Sequence, residues 1–475
     1  MIGLIAFLAC GPKNAPIEST VETRTYNQKP SPLEAPTFEL PQLTAGELSN
    51  GIPVFVAENH ETPLVTVQMV FGTGIWNSSN PQLAVAALDM LTEGAGNMDS
   101  AGLSAAQRAL AADIYASSNL DGSMVTLSSL KKNLSDSVAL FSTVIQNPTY
   151  PDKEWGILQK QYVQEFQNKQ KDPSEIVNTV FDGLMYNGQY KGRATTLADI
   201  NTLNTTMLKT WHQENLVAQH AQIIVGGDCT LEEILPILEA NFAQMAKTQN
   251  ALPALPTAKI LPETQATQIY LIDKPGASQS TIYAGQFVPE RTDEISSDLY
   301  LANMAIGGLF IARINMNLRE DKGWTYGARS SIRYNYLPGL WTVYTSVVSE
   351  HTADALGEIL KELRESQADR PILQEELDAS LGYLLGTEPL RYEQPDYLLS
   401  QMVNINRYNL PADYYQNQTA RLRSVTLESA QEAWNSYIDP EHLRIVIVGD
   451  SASILAPLEN LGLVVTPVDA TGKPL

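Results

Sequence analysis

The chain has 475 residues, too many for one ordinary hydrophobic core, so two or more domains are expected. Hydrophobic residues make up 44% and charged residues 18%, the balance of a globular protein rather than of a disordered or membrane-spanning one. The formal net charge of −22 argues against nucleic acid as a partner, because phosphate binding needs a basic face.

The sequence opens with MIGLIAFLAC, an uncharged apolar run far shorter than the ~20 residues of a spanning helix. This run resembles the end of a bacterial lipoprotein signal, with Ala9 before Cys10 and Gly11 after it. Phe7 stands where Leu is usual, and no basic residue precedes the run. Residues 1–10 are therefore read as the signal and Cys10 as the site of lipid attachment. The resemblance implies an outer-membrane lipoprotein on the periplasmic side of the bacterial envelope, held to the membrane by its lipid. Cys229, the other cysteine, then has no disulfide partner. Residues 11–40, rich in Pro, Thr, Glu and Asn and without periodicity, read as a flexible tether.

Residues 41–250 form the first folded part. In LSNGIPVFVAENHETPLVTVQMVFGTG, Asn50-Gly51 is a hairpin signal, and Val54, Val56, Val65, Val67 and Met69 alternate like half-buried strands. Helical patterns follow over 83–95, 101–117, 131–147 and 152–170. The part closes on AQIIVGGDCTLEEILPILEANF, a strand, a Gly-Gly turn and a helix. Residues 251–263, punctuated by proline, are the linker. The second part, 264–475, repeats the plan. TQIYLIDKPGASQSTIYAGQFV matches the first strands, LRIVIVGDSASILAPLENLG matches the closure, and Asp228 and Asp450 occupy equivalent turns. Between them LANMAIGGLFIARINMNLRED predicts an amphipathic helix ending near Gly323 and passing into the strand WTYGARSSI. Gly307-Gly308 match no phosphate-loop spacing and fit close helix packing. A duplicated α+β domain is the economical reading.

LSNG, the closures IVGGD and IVGD, and above all LREDKGWTYG resemble the pitrilysin or insulinase-type zinc peptidases, in the branch of the mitochondrial processing peptidase and its bacterial relatives. The resemblance runs from about residue 40 to the end. It implies two homologous domains, each an antiparallel sheet flanked by helices (the mitochondrial-processing-peptidase/LuxS-like metallohydrolase fold), closing as a clam around a peptide chamber. In catalytic relatives one helix carries H-x-x-E-H before a Met-Leu pair and a glycine; the histidines bind zinc and the Glu activates water. Aligning Met90-Leu91 and Gly94 places Val85 and Asp89 at the histidine positions and Leu88 at the position of the base. The family's third ligand, a Glu in a later helix, falls nearly on Glu165. Asp89 and Glu165 make a poor zinc site, since zinc favours nitrogen and sulfur and takes at least three protein ligands. No metal is expected in this chain, and the H-x-x-E-H zinc centre is expected in a partner. Val85 and Leu88 read as core, and Asp89 as a solvated or hydrogen-bonded remnant.

Arg319 and Tyr326 flank the helix-to-strand turn, where the two side chains could converge. The resemblance implies that they reach a zinc centre across the chamber, hold the peptide backbone and support the oxyanion. The alternative is that Arg319 pairs with Glu320 or Asp321 and Tyr326 packs on the strand face. The functional expectation is a non-catalytic, substrate-binding and transition-state-supporting subunit of a heterodimeric zinc endopeptidase. Its catalytic partner would be a homologous subunit bearing H-x-x-E-H, and its substrates peptides or unfolded protein in the bacterial envelope. The competing expectation is a non-enzymatic scaffold or peptide-binding lipoprotein that keeps the clam fold.

Overall fold

The computed structural model describes residues 43–475 apart from 249–265, 292–294, 335–337, 394, 409 and 412. Cys10 with its signal, the 11–40 tether and the 251–263 linker lie outside the described residues.

The period-2 stretches form the first sheet. Its strands are β1 (Leu43–Glu47), β2 (Pro53–Glu58), β3 (Leu64–Phe71), β4 (Asp113–Asn119), β5 (Gly122–Leu130) and β6 (Ala221–Gly227). They lie in the order β1-β2-β6-β3-β5-β4. Gly51, at φ +92°, turns the chain from β1 into its antiparallel partner β2. Val54, Val56, Val65, Val67 and Met69 are all fully buried, as their alternation requires.

The second sheet repeats the plan. It is built from β7 (Gln268–Asp273), β8 (Gln279–Val288), β9 (Thr325–Arg333), β10 (Gly339–Val348), β11 (Arg444–Gly449) and β12 (Val464–Val468). Its order, β12-β7-β11-β8-β10-β9, matches the first sheet position by position except at the edge. There β12 runs parallel to β7, whereas β1 runs antiparallel to β2. The sheets are mostly antiparallel but mixed, because β2 pairs parallel with β6 and β7 with β11. A parallel neighbour needs a long crossover, and the rest of each half supplies it.

The closing strands are apolar on both faces because each sheet is covered twice. Ile223 and Val225 of β6 enter the first half's own core, with α1 (Leu83–Asp89), α3 (Leu134–Gln146) and α7 (Leu231–Phe242). The first half's other helices used below are α2 (Ser100–Leu110), α4 (Asp152–Lys169), α5 (Pro173–Met185) and α6 (Thr205–Asn215). Helix α5 crosses to the second sheet, where Val177, Val180 and Phe181 pack on Tyr283, Val446 and Val448. The second half has α8 (Ser296–Asn303), α9 (Thr352–Glu365), α10 (Gln374–Tyr392), α11 (Pro395–Arg407), α12 (Leu427–Tyr437) and α13 (Ser451–Glu459). Its α11 returns the exchange, setting Leu399, Met402 and Val403 on Ala57, Val70 and Ile224 of the first sheet. The halves are thus tied by a reciprocal swap of one helix.

Three predicted helices differ from the structure. The 101–117 pattern is α2 followed by β4, because Ala111 enters the left-handed region at φ 47° and stops the helix. Asn119 then accepts from the amides of Asp121 and Gly122 and turns β4 into β5. The 83–95 pattern is α-helical only to Asp89; a 3₁₀ turn covers Met90–Glu93 and Gly94 is extended. The predicted helix through LANMAIGGLFIARINMNLRED breaks at Leu309–Ala312 and resumes over 313–321 with π-type turns. Buried Asn315 fixes the break: its amide donates to the Phe310 carbonyl at 2.7 Å, and its oxygen accepts from the Ala328 amide at 3.0 Å. Gly307 lies tight against β9, since a Cβ there would stand 2.4 Å from Ser330 Oγ.

Candidate functional site

Helix α1 buries Leu83, Ala84, Ala86, Ala87 and Leu88, which leaves Val85 and Asp89, one turn apart, on its remaining stripe. That stripe faces α4, and Val85, Asp89, Tyr162, Glu165 and Phe166 line a cavity of about 530 Å³. The structure therefore brings Val85, Asp89 and Glu165 together at one place. It does not bring Leu88, which is 0% exposed in the core. Val85, expected in the core, is a half-buried wall of the cavity instead, because the i, i+4 stripe it shares with Asp89 is the one α1 leaves unpacked.

The polar groups here are already engaged. Tyr162 donates its hydroxyl to Asp89 Oδ2 at 2.6 Å. Burial raises the Asp89 carboxyl above the usual carboxylate range; the Tyr162 hydrogen bond works against that rise and the Glu165 charge adds to it. Burial, then the Asp89 charge, likewise raises the Tyr162 phenol, so it stays a donor. Glu165 sits at the rim with its side chain 56% exposed and pairs with Lys169 at 2.7 Å, an i, i+4 surface pair of little energetic weight. Lys191 and Arg193 complete the wall with fixed positive charge. Among the described residues no three His, Cys, Asp or Glu side chains are grouped to hold a metal ion. A hydrogen-bonded aspartate, a rim glutamate and three cations do not fit zinc. Cys229 supplies no ligand either: it is buried, and burial pushes its thiol up to about 12. Sequence reasoning missed Tyr162, although it lies three residues before Glu165 on the same helical face.

The second candidate lies on the other half. The run 313–321 ends on Gly323 at φ +68°, and β9 starts at Thr325. The pairing of β9 with β10 is irregular between Thr325 and Ala328, where the Gly327 amide donates to Thr325 Oγ1 at 3.0 Å. A bulge of this kind redirects a side chain, and Tyr326 is 91% exposed. Arg319 rests its guanidinium 4.4 Å from the ring centre of Phe310 and lies 3.5 Å from Glu320. Phe310 and Ile311, at the helix break, are themselves exposed. No hydrogen bond or ring contact joins Arg319 directly to Tyr326. The Arg319–Glu320 pair of the alternative is present, but Tyr326 does not pack on its strand. The Phe310 platform was not legible in the sequence, because the break that exposes it depends on Asn315 reaching β9.

Residues 202–382 match the family model described as the peptidase M16 inactive domain. The chain is 21% identical over 422 residues to the non-peptidase homolog YmxG of Helicobacter pylori, covering 86% of this chain and 94% of that one. Among solved structures, a peptidase M16 inactive domain from Pseudomonas fluorescens has a TM-score of 0.79 at 22% identity, covering 86% of this chain and 98% of that one. The periplasmic protease PqqL of Escherichia coli has a TM-score of 0.69 at 16% identity, covering 92% of this chain but 51% of that one. These matches bear out the family resemblance and the fold class read from the sequence.

Proposed function

From the premise that this chain is a member of the M16 peptidase family in its inactive form, we propose that it is the non-catalytic subunit of a heterodimeric zinc endopeptidase of the bacterial envelope. A homologous partner brings H-x-x-E-H and zinc. This chain brings half of the peptide chamber, with Arg319 and Tyr326 as donors to the substrate backbone and the developing oxyanion. One observation carries the reading: Tyr326 is 91% exposed on the strand that follows the turn from Arg319, whose guanidinium lies on exposed Phe310. The PqqL protease supports it, being about twice the length over which this fold matches. The apolar run ending at Cys10 supports a lipid anchor, and with it an envelope location.

A planar guanidinium and a phenol suit that role. Both present N–H or O–H donors to an oxygen that gains charge as the carbonyl becomes tetrahedral, and neither supplies a nucleophile or a base. The test is to express the chain with and without a zinc-bearing homologue. Peptide cleavage is expected from the pair alone and is expected to stop in excess chelator; cleavage by this chain alone in excess chelator contradicts the reading. Cys10→Ser is expected to move the protein out of the membrane fraction. The scaffold reading is favoured by the name of the non-peptidase homolog YmxG. On that reading, changing Tyr326 leaves the turnover of any associated peptidase untouched.

A further inference from the structure

The function proposed above makes no use of a cavity of about 300 Å³ in the second half, formed by α8, α11 and residues 414–422. Its volume is at the small end of organic-ligand pockets. Among the described residues no Asp or Glu lines it, while Arg291 and Arg421 both do. Among the described residues neither arginine pairs with a carboxylate; neutral partners hold both. The Arg291 guanidinium lies 5.5 Å and 5.4 Å from the ring centres of Tyr334 and Tyr408, and its Nη1 donates to Tyr415 Oη at 3.4 Å. The Arg421 guanidinium lies 4.5 Å from the Tyr414 ring centre and donates to the Tyr414 carbonyl at 2.7 Å. Two positive charges are therefore held in place, and among the described residues nothing on the cavity wall neutralises them.

A second observation is independent of charge. Gln401 lines the same cavity and is 4% exposed. Its Oε1 accepts from Tyr392 Oη at 2.5 Å, while its buried Nε2, close to the Tyr397 phenol, makes no hydrogen bond of ordinary geometry. A buried donor without a well-placed acceptor is costly, so such a group marks a place where an acceptor belongs. The remaining wall includes the rings of Tyr300, Tyr397 and Tyr414 with Ile332 and Leu422, surfaces that suit a flat apolar body.

We propose that this cavity binds a small organic anion, a carboxylate or phosphate monoester carried on a flat apolar group. Its oxygens would face Arg291, Arg421 and the Gln401 amide, and its body would lie among the tyrosine rings. The site is separate from Arg319 and Tyr326, so it stands or falls apart from the peptidase reading.

Calorimetric titration of the full chain with phenyl phosphate, phenylacetate, inorganic phosphate and benzyl alcohol tests it. At least one aromatic anion is expected to saturate the chain, at least tenfold more tightly than inorganic phosphate, with benzyl alcohol not binding. A preference for phenyl phosphate assigns the phosphate ester, and the reverse preference assigns the carboxylate. Arg291→Gln and Arg421→Gln are each expected to weaken that binding tenfold or more. Gln401→Glu, which can still accept from Tyr392 but turns the amide donor into an anion, is expected to do the same, with thermal melts reporting on folding. The proposal is overturned if neither aromatic anion saturates at millimolar concentration, if inorganic phosphate binds as tightly as both, or if folded Arg291→Gln and Arg421→Gln variants bind unchanged.

Discussion

Between β3 and β4 the first half places α1; between β8 and β9 the second half places the broken helical run 296–321. These are equivalent positions in a duplicated plan, yet their polar groups have opposite fates. In the first half Asp89 is tied to Tyr162 and Glu165 to Lys169, so the cavity between α1 and α4 satisfies itself. In the second half Arg319 lies on an exposed ring with only the surface partner Glu320, at 3.5 Å, while Tyr326 stands 91% in solvent. Polar groups paired internally are structural. An exposed donor such as the Tyr326 hydroxyl is what a substrate or a second chain can use.

The comparison breaks most sharply at Leu88. Leu88→Glu places a carboxylate in a fully buried core position without a partner and is expected to cost about 3 kcal/mol or more in urea unfolding. Arg319→Ala on the other half is expected to stay within about 0.5 kcal/mol, the usual scale for surface changes. A Leu88→Glu variant as stable as the wild type would mean that α1 presents a different face to the core.

A gain of metal sharpens the same comparison. Val85→His with Asp89→His rebuilds an i, i+4 histidine pair on the cavity wall, with Glu165 in reach as a third ligand. Stoichiometric zinc with a raised Tm is expected for this pair, and its loss on adding Glu165→Ala. Zinc binding indifferent to Glu165 would show that α4 is aligned wrongly with the family's third ligand.

A smaller effect is expected from pH. Burial raises the Asp89 carboxyl, so the folded chain keeps its proton where the unfolded chain has released it. Stability from this group is full below the ordinary carboxylate range and falls as pH rises through the raised value. Asp89→Asn removes that slope. The variant should match the wild type in acid and gain on it towards neutral pH, by about 1 kcal/mol, the usual scale of a single polar change. An advantage that shrinks as pH rises would contradict the assigned direction.

What was legible in the sequence followed from local rules. Val54, Val56, Val65, Val67 and Met69 announced their strands by period two, and Asn50-Gly51 announced its turn. The hairpin β4–β5 did not, because DIYASSN offers only Ile114 and Ala116 on its inner side and reads equally well as the tail of a helix. The exchange of α5 and α11 was invisible for another reason: an apolar stripe says that a helix packs, not which half's sheet it packs on. The cavity between α1 and α4 was legible as a position, since Val85 and Asp89 share an i, i+4 spacing. Its self-sufficiency was not, because that depends on Tyr162 arriving from α4. The Arg319–Phe310 stack likewise follows from Asn315 bonding across to β9.

The most direct measurement is the turnover of the reconstituted pair with Tyr326→Phe in this chain, which removes one hydroxyl and no packing. If that hydroxyl supports the transition state at the partner's zinc, kcat should fall by about 10²–10³, roughly 2.7–4 kcal/mol, with KM and unfolding midpoint nearly unchanged. Wild-type kcat in Tyr326→Phe, and in its combination with Arg319→Ala, would contradict the account and leave this chain a scaffold.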